Sequence, residues 1–295
     1  MSILKNKISL GSSSALFSLL QDSNESVASL AMEQILQLPD FEAQIRSAQD
    51  SSEPMLRRRV HQLSSIARRR EYMGQFLRSA LKGRIGLWRA MLLLDHLYDQ
   101  QSSFSYLESM SKALIHEFSS SRGGSNSLAR FMREHKFCVP GDNWFDVGNH
   151  LLGDVLESRV GSSALLCIIA QHIGSFRGWH SHIVLHQGRY CLLDQNLSMI
   201  DPSEDWKLHR KLKDELYHIC DSKAVLTSII SQLFAFALVN WDPWEIHLFS
   251  KMLLSMAKLG AEELPYPLGN YNSPTVKKTG EGQYASCVFV CLRVS

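Results

Sequence analysis

The first quarter of the chain repeats an amphipathic helical pattern, in which apolar residues return every three or four positions. The segments QDSNESV at 21–27 and QDSSEPM at 49–55 share Gln, Asp, Ser and Glu in register, 28 positions apart. We expect Asp22 and Asp50 to cap the helices that follow them, and Pro54 suits a first helical turn. A repeat of this period predicts stacked helix pairs.

Helical periodicity continues over residues 72–118, in three separate apolar stripes. The Ser/Gly-rich stretch SSSRGGSNSL at 119–128 then interrupts the pattern. Such a composition is typical of a linker or an exposed loop, so we predict a break between helical regions here.

A β-hairpin is predicted near the middle of the chain. Residues 143–161 are helix-like, and the apolar segment after them predicts a short buried helix capped by Ser162. Polar and apolar residues then alternate in HSHIVLH, and a second apolar run ends at Asp194. The two runs flank Gln187 and Gly188, which is the pattern of two strands joined by a tight turn.

The carboxy-terminal part is predicted to be helical again, over residues 205–218 and 222–257. The tail from residue 265 is rich in Pro, Gly and Asn, and ends in an apolar run that is compatible with a final strand. The chain therefore reads as an α+β protein: helical repeats, a buried helix with a small antiparallel sheet, and a helical carboxy-terminal segment.

Composition adds that the chain is an ordinary globular protein. Its 295 residues are 45% hydrophobic and 20% charged, enough for a core and more than one substructure. The formal net charge of +2 is too balanced to argue for a nucleic-acid partner. Six arginines are clustered, and we interpret them as a solvated helix face, with a phosphate-binding patch as the alternative: Arg57, Arg58, Arg59, Arg68, Arg69 and Arg70.

The sequence favours a cytoplasmic protein without a cofactor. No apolar run reaches transmembrane length, and the start of the chain is too polar for a signal peptide. Cys287 and Cys291 are spaced for a metal, but no nearby His or second Cys pair supports a metal site. We expect reduced thiols at all six cysteines: Cys138, Cys167, Cys191, Cys220, Cys287 and Cys291.

One group of residues offers the elements of a catalytic triad. Ser163 starts the buried helix, His182 lies on the first predicted strand, and Asp194 ends the second. A nucleophile needs a base within hydrogen-bond reach and a group that orients the base. The alternative for Ser163 is a capping or packing role, because serine bonds free backbone N–H groups at helix starts.

The stretch NHLLGDVLESRVG at 149–161 resembles a pattern found in a bacterial branch of the transglutaminase-like (papain-like core) family. Members of that branch carry HEAT-like helices before the core and a tetratricopeptide-like segment after it, and residues 234–256 are similar to the first helix pair of that segment. The matching positions are Asn149, Leu152, Val155, Leu156, Arg159 and Gly161.

The resemblance implies a degenerate active site. The family's nucleophilic Cys falls at Ser163, its His at His182 and its Asp at Asp194, and the branch commonly lacks the Cys. Asp201 is an alternate third position because Pro202 follows it, as Pro follows the family's Asp. Regulatory roles attached to the family imply a regulatory protein.

Three further side-chain groups have competing interpretations. Cys167 shares a helix face with Ser163 and is an alternate nucleophile, although its apolar surroundings favour a core cysteine, as for Cys191. A strand over 180–186 would place three histidines on one face, either as a zinc site or as a half-exposed face: His180, His182 and His186. The indoles of Trp144 and Trp179 flank a cleft or fill the core.

These observations together lead to one prediction of function and one alternative. We predict a non-catalytic transglutaminase-like protein that binds or regulates another protein, with no membrane partner and no cofactor. The alternative is an amide-acting hydrolase or acyl-transferase that uses Ser163, His182 and Asp194. The same observations divide the chain into five predicted regions. They are HEAT-like repeats at 1–70, a helical connector at 71–128, the core at 129–221, a tetratricopeptide-like helical hairpin at 222–260 and a tail at 261–295.

Overall fold

The computed structural model describes residues 14–81, 86–99, 103–119, 124–142, 145–210 and 217–259. The chain divides into two compact units, and the boundary along the sequence lies between Gly74 and Gln75. Trp144, Cys287, Cys291 and the tail at 261–295, with its predicted strand, lie outside the described residues.

The first unit is helical, as the repeated pattern predicts. Its helices are α1 at residues 14–19, α2 (Glu25–Ile35), α3 (Phe41–Gln49) and the start of α4 (Pro54–Leu81). A separate apolar core joins these helices, formed by Leu20, Ala31, Ile35, Ile45, Val60 and Leu63. The amphipathic stripes of the helices meet in this core, so each helix buries its apolar face.

The predicted helix caps at the two repeat segments were wrong. Asn24, not Asp22, caps α2 by accepting the Ser26 N–H at 3.0 Å. Asp22 Oδ1 instead accepts the Asn24 N–H at 2.8 Å. Asp50 ends α3 and precedes α4 by several residues. A side-chain cap must directly precede the first turn, and both aspartates lie too early in the chain.

The second unit contains helices α5 to α11 and a small sheet. Its core helix α9 packs against strands β1 and β2, and α10 packs against α11. The helices are α5 (Leu87–Tyr98), α6 (Phe104–Ser119), α7 (Ser125–Glu134), α8 (Leu152–Ser158), α9 (Ser163–Ser175), α10 (Ser222–Asn240) and α11 (Pro243–Ala257), with 3-10 turns at Val147–His150 and Pro202–Glu204.

The sheet is antiparallel throughout, with the strand order β4-β3-β2-β1-β5. The predicted hairpin is confirmed, and Gln187 and Gly188 between its strands both have positive φ, of 49° and 78°. Positive φ at both positions is the geometry of a type I′ turn, which matches the twist of paired strands. The strands are β1 (Ser181–His186), β2 (Arg189–Asp194), β3 (Met199–Asp201), β4 (Lys207–His209) and β5 (His218–Ile219).

Two predicted boundaries were wrong. Helix α7 begins at Ser125, inside the predicted break at 119–128, because an amphipathic helix buries Leu128 and Met132 there. The predicted helix at 205–218 is replaced at its ends by β4 and β5, which pair with β3 and β1. Residues 211–216 lie outside the described part of the chain.

The prediction that no apolar run reaches transmembrane length was wrong for α10, which is the one helix among the described residues that is long and apolar enough to cross a membrane. Half of its apolar window is buried inside the protein, against α11 and neighbouring helices. A core helix meets the same criteria of length and composition, and these contacts are those of a core helix.

Candidate functional site

The start of α9 is fixed by a short parallel bridge between Cys138 and Val160. The Cys138 N–H donates to the Arg159 carbonyl at 2.9 Å, and the Gly161 N–H donates to the Cys138 carbonyl at 3.1 Å. Arg159 has a left-handed φ of 68°, and its guanidinium lies over the Phe137 ring, 4.8 Å from the centroid. The bridge and this cation–π contact hold the turn between α8 and α9.

The stretch that carries the family resemblance has structural roles in this turn. A Cβ on Gly161 would lie 2.7 Å and 2.8 Å from the two methyl groups of Val155, so only glycine fits there. The Ser162 N–H donates to the Asn149 carbonyl at 2.8 Å. Leu152 and Leu156 are buried below the turn. These contacts place the amino-terminal end of α9 against α8.

Ser162 caps α9, as predicted, by accepting the Leu165 N–H at 3.4 Å. Ser163 is the first residue of the helix and is half-buried. In the described part of the chain, the Ser163 hydroxyl has no hydrogen-bond partner. The capping role therefore belongs to Ser162, and no base contacts the hydroxyl of Ser163.

Cys167 and Cys191 are core residues, as predicted, and both are fully buried. Burial raises the pKa of the Cys167 thiol well above its usual range, and the charges of Cys191 and Asp201 raise it further. Burial also raises the pKa of Cys191. Because the thiolate is the nucleophilic form of cysteine, neither position offers a nucleophile.

His182 lies near the opposite end of α9 from Ser163. Gln171, in the third turn of the helix, donates from Nε2 to the Ser181 carbonyl at 2.7 Å and so fixes the first residue of β1. Gln171 follows Ser163 by eight residues, which is about 12 Å along a helix axis. The His182 side chain is exposed, and no hydrogen bond joins it to Ser163 or Asp194.

The carboxylate of Asp194 forms hydrogen bonds with groups other than His182. Its Oδ1 accepts the N–H groups of Asn196 and Ser198, both at 2.8 Å, which closes the turn after β2. Its Oδ2 accepts the Ser125 hydroxyl in a short hydrogen bond. The Trp179 indole N–H donates to the same Ser125 oxygen at 3.3 Å. Both carboxylate oxygens therefore hold structure together, and neither orients an imidazole.

Asp201, the alternate third position, is also a structural residue. It is fully buried, and its Oδ1 accepts the Ser203 N–H at 2.8 Å. Its Oδ2 lies 3.4 Å from an Arg189 guanidinium nitrogen, and Arg189 also pairs with Glu204 at 3.1 Å. A buried carboxylate needs such a counter-ion, and this one lies where β2, β3 and the following turn meet.

A cleft of about 430 Å³ lies beside His182, along the carboxy-terminal half of α9. The Trp88 indole stacks on the His172 ring with centroids 3.9 Å apart, and Trp179 forms another wall. Burial lowers the pKa of His172 to about 4, so its ring is neutral near pH 7. No Asp, Glu, Lys or Arg is among the described residues that line the cleft. It suits a neutral aromatic or amide group.

The three predicted strand histidines do not share one face. His180 precedes β1, so only His182 and His186 fall on the same side by strand alternation. His182 is exposed and His186 is buried. Within the described ranges, no group of three or more His, Cys, Asp or Glu side chains is arranged to hold a metal ion.

A larger cavity, of about 780 Å³, lies beside α8 and was not predicted. Asp146, Asp154 and Glu157 line it together with Tyr98. Burial raises the pKa of the Asp154 carboxyl, and the charge of the neighbouring Asp95 raises it further. The excess of carboxylates gives this cavity a negative potential.

Ser125 is the residue of the site that the sequence did not indicate. It lies in the stretch 119–128, whose Ser/Gly content suggested an exposed break. The hydrogen bonds of Ser125 to Asp194 and Trp179 join residues that are 69 and 54 positions apart in the chain, respectively. Periodicity reports only neighbours within one element, so it carries no signal for such a contact.

Comparison with known proteins gave no relative. No protein-family model matches the chain, and no curated protein and no solved structure matches it. The transglutaminase-like resemblance therefore rests on the residues of the chain itself.

Proposed function

We propose that the chain is a non-catalytic transglutaminase-like protein, which acts in the cytoplasm as a binding or regulatory module for another protein. The observation that carries this proposal is the environment of Asp194. Its carboxylate accepts from Ser125 and from two turn amides, whereas catalysis of the family type would need it to orient His182.

The other candidate positions support the same proposal. The hydroxyl of a serine is hardly ionised near neutral pH and needs a base within hydrogen-bond reach. Ser163 has no such base among the described residues, and His182 lies beside a later turn of α9. Cys167, the alternate nucleophile, is buried in the core.

The cytoplasmic part of the proposal rests on the thiols. Among the described residues no disulfide is present, and the free cysteines are Cys138, Cys167, Cys191 and Cys220. Free thiols are typical of a reducing compartment.

Chemical labelling tests the absence of catalysis. The folded chain is treated with a fluorophosphonate and, separately, with iodoacetamide, and labelled peptides are identified by mass spectrometry. We expect the exposed Cys138 to react and Ser163 and Cys167 to remain unlabelled. The same iodoacetamide treatment in denaturant should label Cys167, which shows that burial protects the thiol.

One labelling result would overturn the proposal. Fluorophosphonate labelling confined to Ser163, and lost in His182→Ala, would identify an amide-acting hydrolase or acyl-transferase. The matched control is His180→Ala, because His180 lines the same cleft but has no family position.

Binding is tested with the full chain as bait. Proteins enriched by the wild-type chain should be enriched equally by Ser163→Ala and by His182→Ala, because a binding module does not need either side chain. A partner that is cleaved or cross-linked by the wild-type chain, and left intact by Ser163→Ala, would contradict the proposal.

A further inference from the structure

The first unit contains a groove of about 490 Å³ between α3 and α4. Its apolar lining comes from Leu36, Phe41, Ile45 and Ala67. Ile45 belongs to the core of the unit, whereas the other three are only partly buried. The groove therefore presents apolar surface to solvent between two helices of the first unit.

Two uncharged polar side chains inside the groove, Gln49 and Ser64, already take part in hydrogen bonds. Gln49 donates from Nε2 to the Ser64 hydroxyl oxygen at 3.3 Å, and Ser64 donates to the Val60 carbonyl at 2.9 Å. A ligand in the groove would find few unsatisfied hydrogen-bonding groups at these positions. The inner surface is thus suited to an apolar side chain.

The rim of the groove carries an excess of positive charge. Arg46 pairs with Glu42 at 3.9 Å, and Glu71 already has an interaction partner. Arg68 and Arg70 are exposed, and neither has a partner within the described ranges. Two free guanidinium groups therefore stand at the edge of an apolar groove.

The charge excess extends along α4. From residue 54 to residue 70 this helix contains no Asp or Glu. Arg57 precedes Arg68 by three helical turns, about 16 Å along the axis, so both project from the same side. His61 lies between them on that side and is exposed. A ligand that lies along α4 would meet the guanidinium groups of Arg57 and Arg68 on one side of the helix.

We propose that this groove binds an acidic amphipathic segment of a partner protein, an inference that rests on the proposed protein-binding function. Apolar side chains of the segment fill the space above Phe41 and Ala67, and its carboxylates pair with Arg68 and Arg70. Arginine forms two parallel hydrogen bonds with a carboxylate, which suits this role.

Two other polyanions fit the groove less well. A nucleic-acid duplex offers phosphates to the arginines but few apolar groups for the groove. A bilayer surface is flat, and its headgroups would not enter a concave groove between two helices. The combination of an apolar interior and a basic rim favours the recognition of an amphipathic helix.

The test uses the full chain and a fluorescein-labelled synthetic peptide of about 16 residues, long enough to form a helix. Leu and Phe occupy one face of the peptide and Glu flanks that face. We expect saturable binding by fluorescence anisotropy, at least about tenfold tighter than for a scrambled peptide of the same composition, because only the patterned peptide aligns apolar and acidic faces.

The variant Arg68→Glu/Arg70→Glu should weaken binding of the patterned peptide by about tenfold or more, since two charge-assisted contacts become repulsive. The matched control is Arg58→Glu/Arg78→Glu, which changes the net charge equally on the same helix but outside the groove. The control should bind within about twofold of the wild-type chain. Circular dichroism verifies that both variants keep their helices.

Three results would overturn the groove proposal: equal binding of the scrambled peptide, unchanged binding by Arg68→Glu/Arg70→Glu, or tighter binding of a duplex oligonucleotide or of phosphatidylserine vesicles. Such a failure is distinguishable from failure of the proposed function. Labelling of Ser163 would disprove the proposed non-catalytic function. Absence of peptide binding, with Ser163 unlabelled, would disprove only the groove proposal.

Discussion

At the scale of single residues, Asp194 of the candidate triad has a structural role, whereas a catalytic triad would need this carboxylate to orient His182. The Asp194 carboxylate has all of its described hydrogen bonds with Ser125 and with the turn after β2. The Trp179 indole completes this group by donating to Ser125. The hydroxyl of Ser125 therefore links a helix, a strand end and an aromatic side chain.

Ser125→Ala should destabilise the protein by about 1–3 kcal/mol, because a buried carboxylate oxygen and an indole N–H lose their common partner. Urea unfolding followed by circular dichroism measures the effect. Ser175→Ala is the matched control: Ser175 is exposed and its hydroxyl donates only to the His172 carbonyl of its own helix. Equal free energies of unfolding for the two variants would show that the Ser125 contact contributes nothing.

His150 should make stability depend on pH. Burial lowers its pKa to about 4 in the folded chain, and Asp146 acts in the opposite direction. The usual value in an unfolded chain is about 6.5, so between these values the unfolded state binds more protons. The free energy of unfolding therefore falls as the pH is lowered, by about 3 kcal/mol at pH 4 from this group.

His150→Phe should remove this contribution, because phenylalanine does not titrate and can retain the contact with Phe236. Urea unfolding of both proteins at pH 7.5 and at pH 4.5 gives the comparison. The variant should lose less stability than the wild-type chain on acidification. Parallel losses in the two proteins would contradict the assignment to His150.

At the scale of elements, the start of the core helix α9 is set by the close contact between α8 and the turn that joins α8 to α9. Gly161 lies against the side chain of Val155, and the bridge between Cys138 and Val160 holds the turn in place. The contact is closer than any side chain at position 161 would allow. Packing against Val155 thus explains why glycine is required at position 161, and this explanation does not involve catalysis.

Gly161→Ala should destabilise the protein by about 1–3 kcal/mol, because the new methyl group overlaps the Val155 methyls and forces the turn away from α8. Gly86→Ala is the matched control, since a Cβ at Gly86 meets no atom within 4 Å. The double variant Gly161→Ala/Val155→Ala should show a smaller loss than the sum of the two single variants. Strict additivity, measured by urea unfolding, would contradict the proposed overlap.

At the scale of the whole molecule, the chain forms two compact units, and each has its own apolar contacts. The core of the first unit contains Ile45, and one apolar cluster of the second lies on the sheet around Val184 and Cys191. A compact unit with its own core can open independently of the rest of a chain. Helix α4 passes from one unit into the other.

Ile45→Ala should weaken the first unit selectively, by about 2–4 kcal/mol, because it leaves a cavity in a small core. Hydrogen exchange followed by mass spectrometry should show faster exchange in α2, α3 and the first half of α4. Exchange in β1 and β2 should stay within about twofold of the wild-type rate. An equal increase in both units would show that they open together.

Sequence alone determined several of the local elements of this protein. The period of apolar residues identified the helices of the first unit and the buried helix α9, and the pair Gln187-Gly188 identified the hairpin turn. Ser162 was recognised as a cap, and Cys167 as a core residue. These features depend on residues close together in the chain, so a pattern along the chain contains them.

Only the tertiary structure decided which side chains meet. It joined Asp194 to Ser125 rather than to His182, and it opened a basic-rimmed groove between α3 and α4. The short strands β4 and β5 formed at the ends of a segment predicted to be helical, because their partners β3 and β1 were available. Contacts between distant residues depend on how elements pack, and the spacing along one chain does not encode that packing directly.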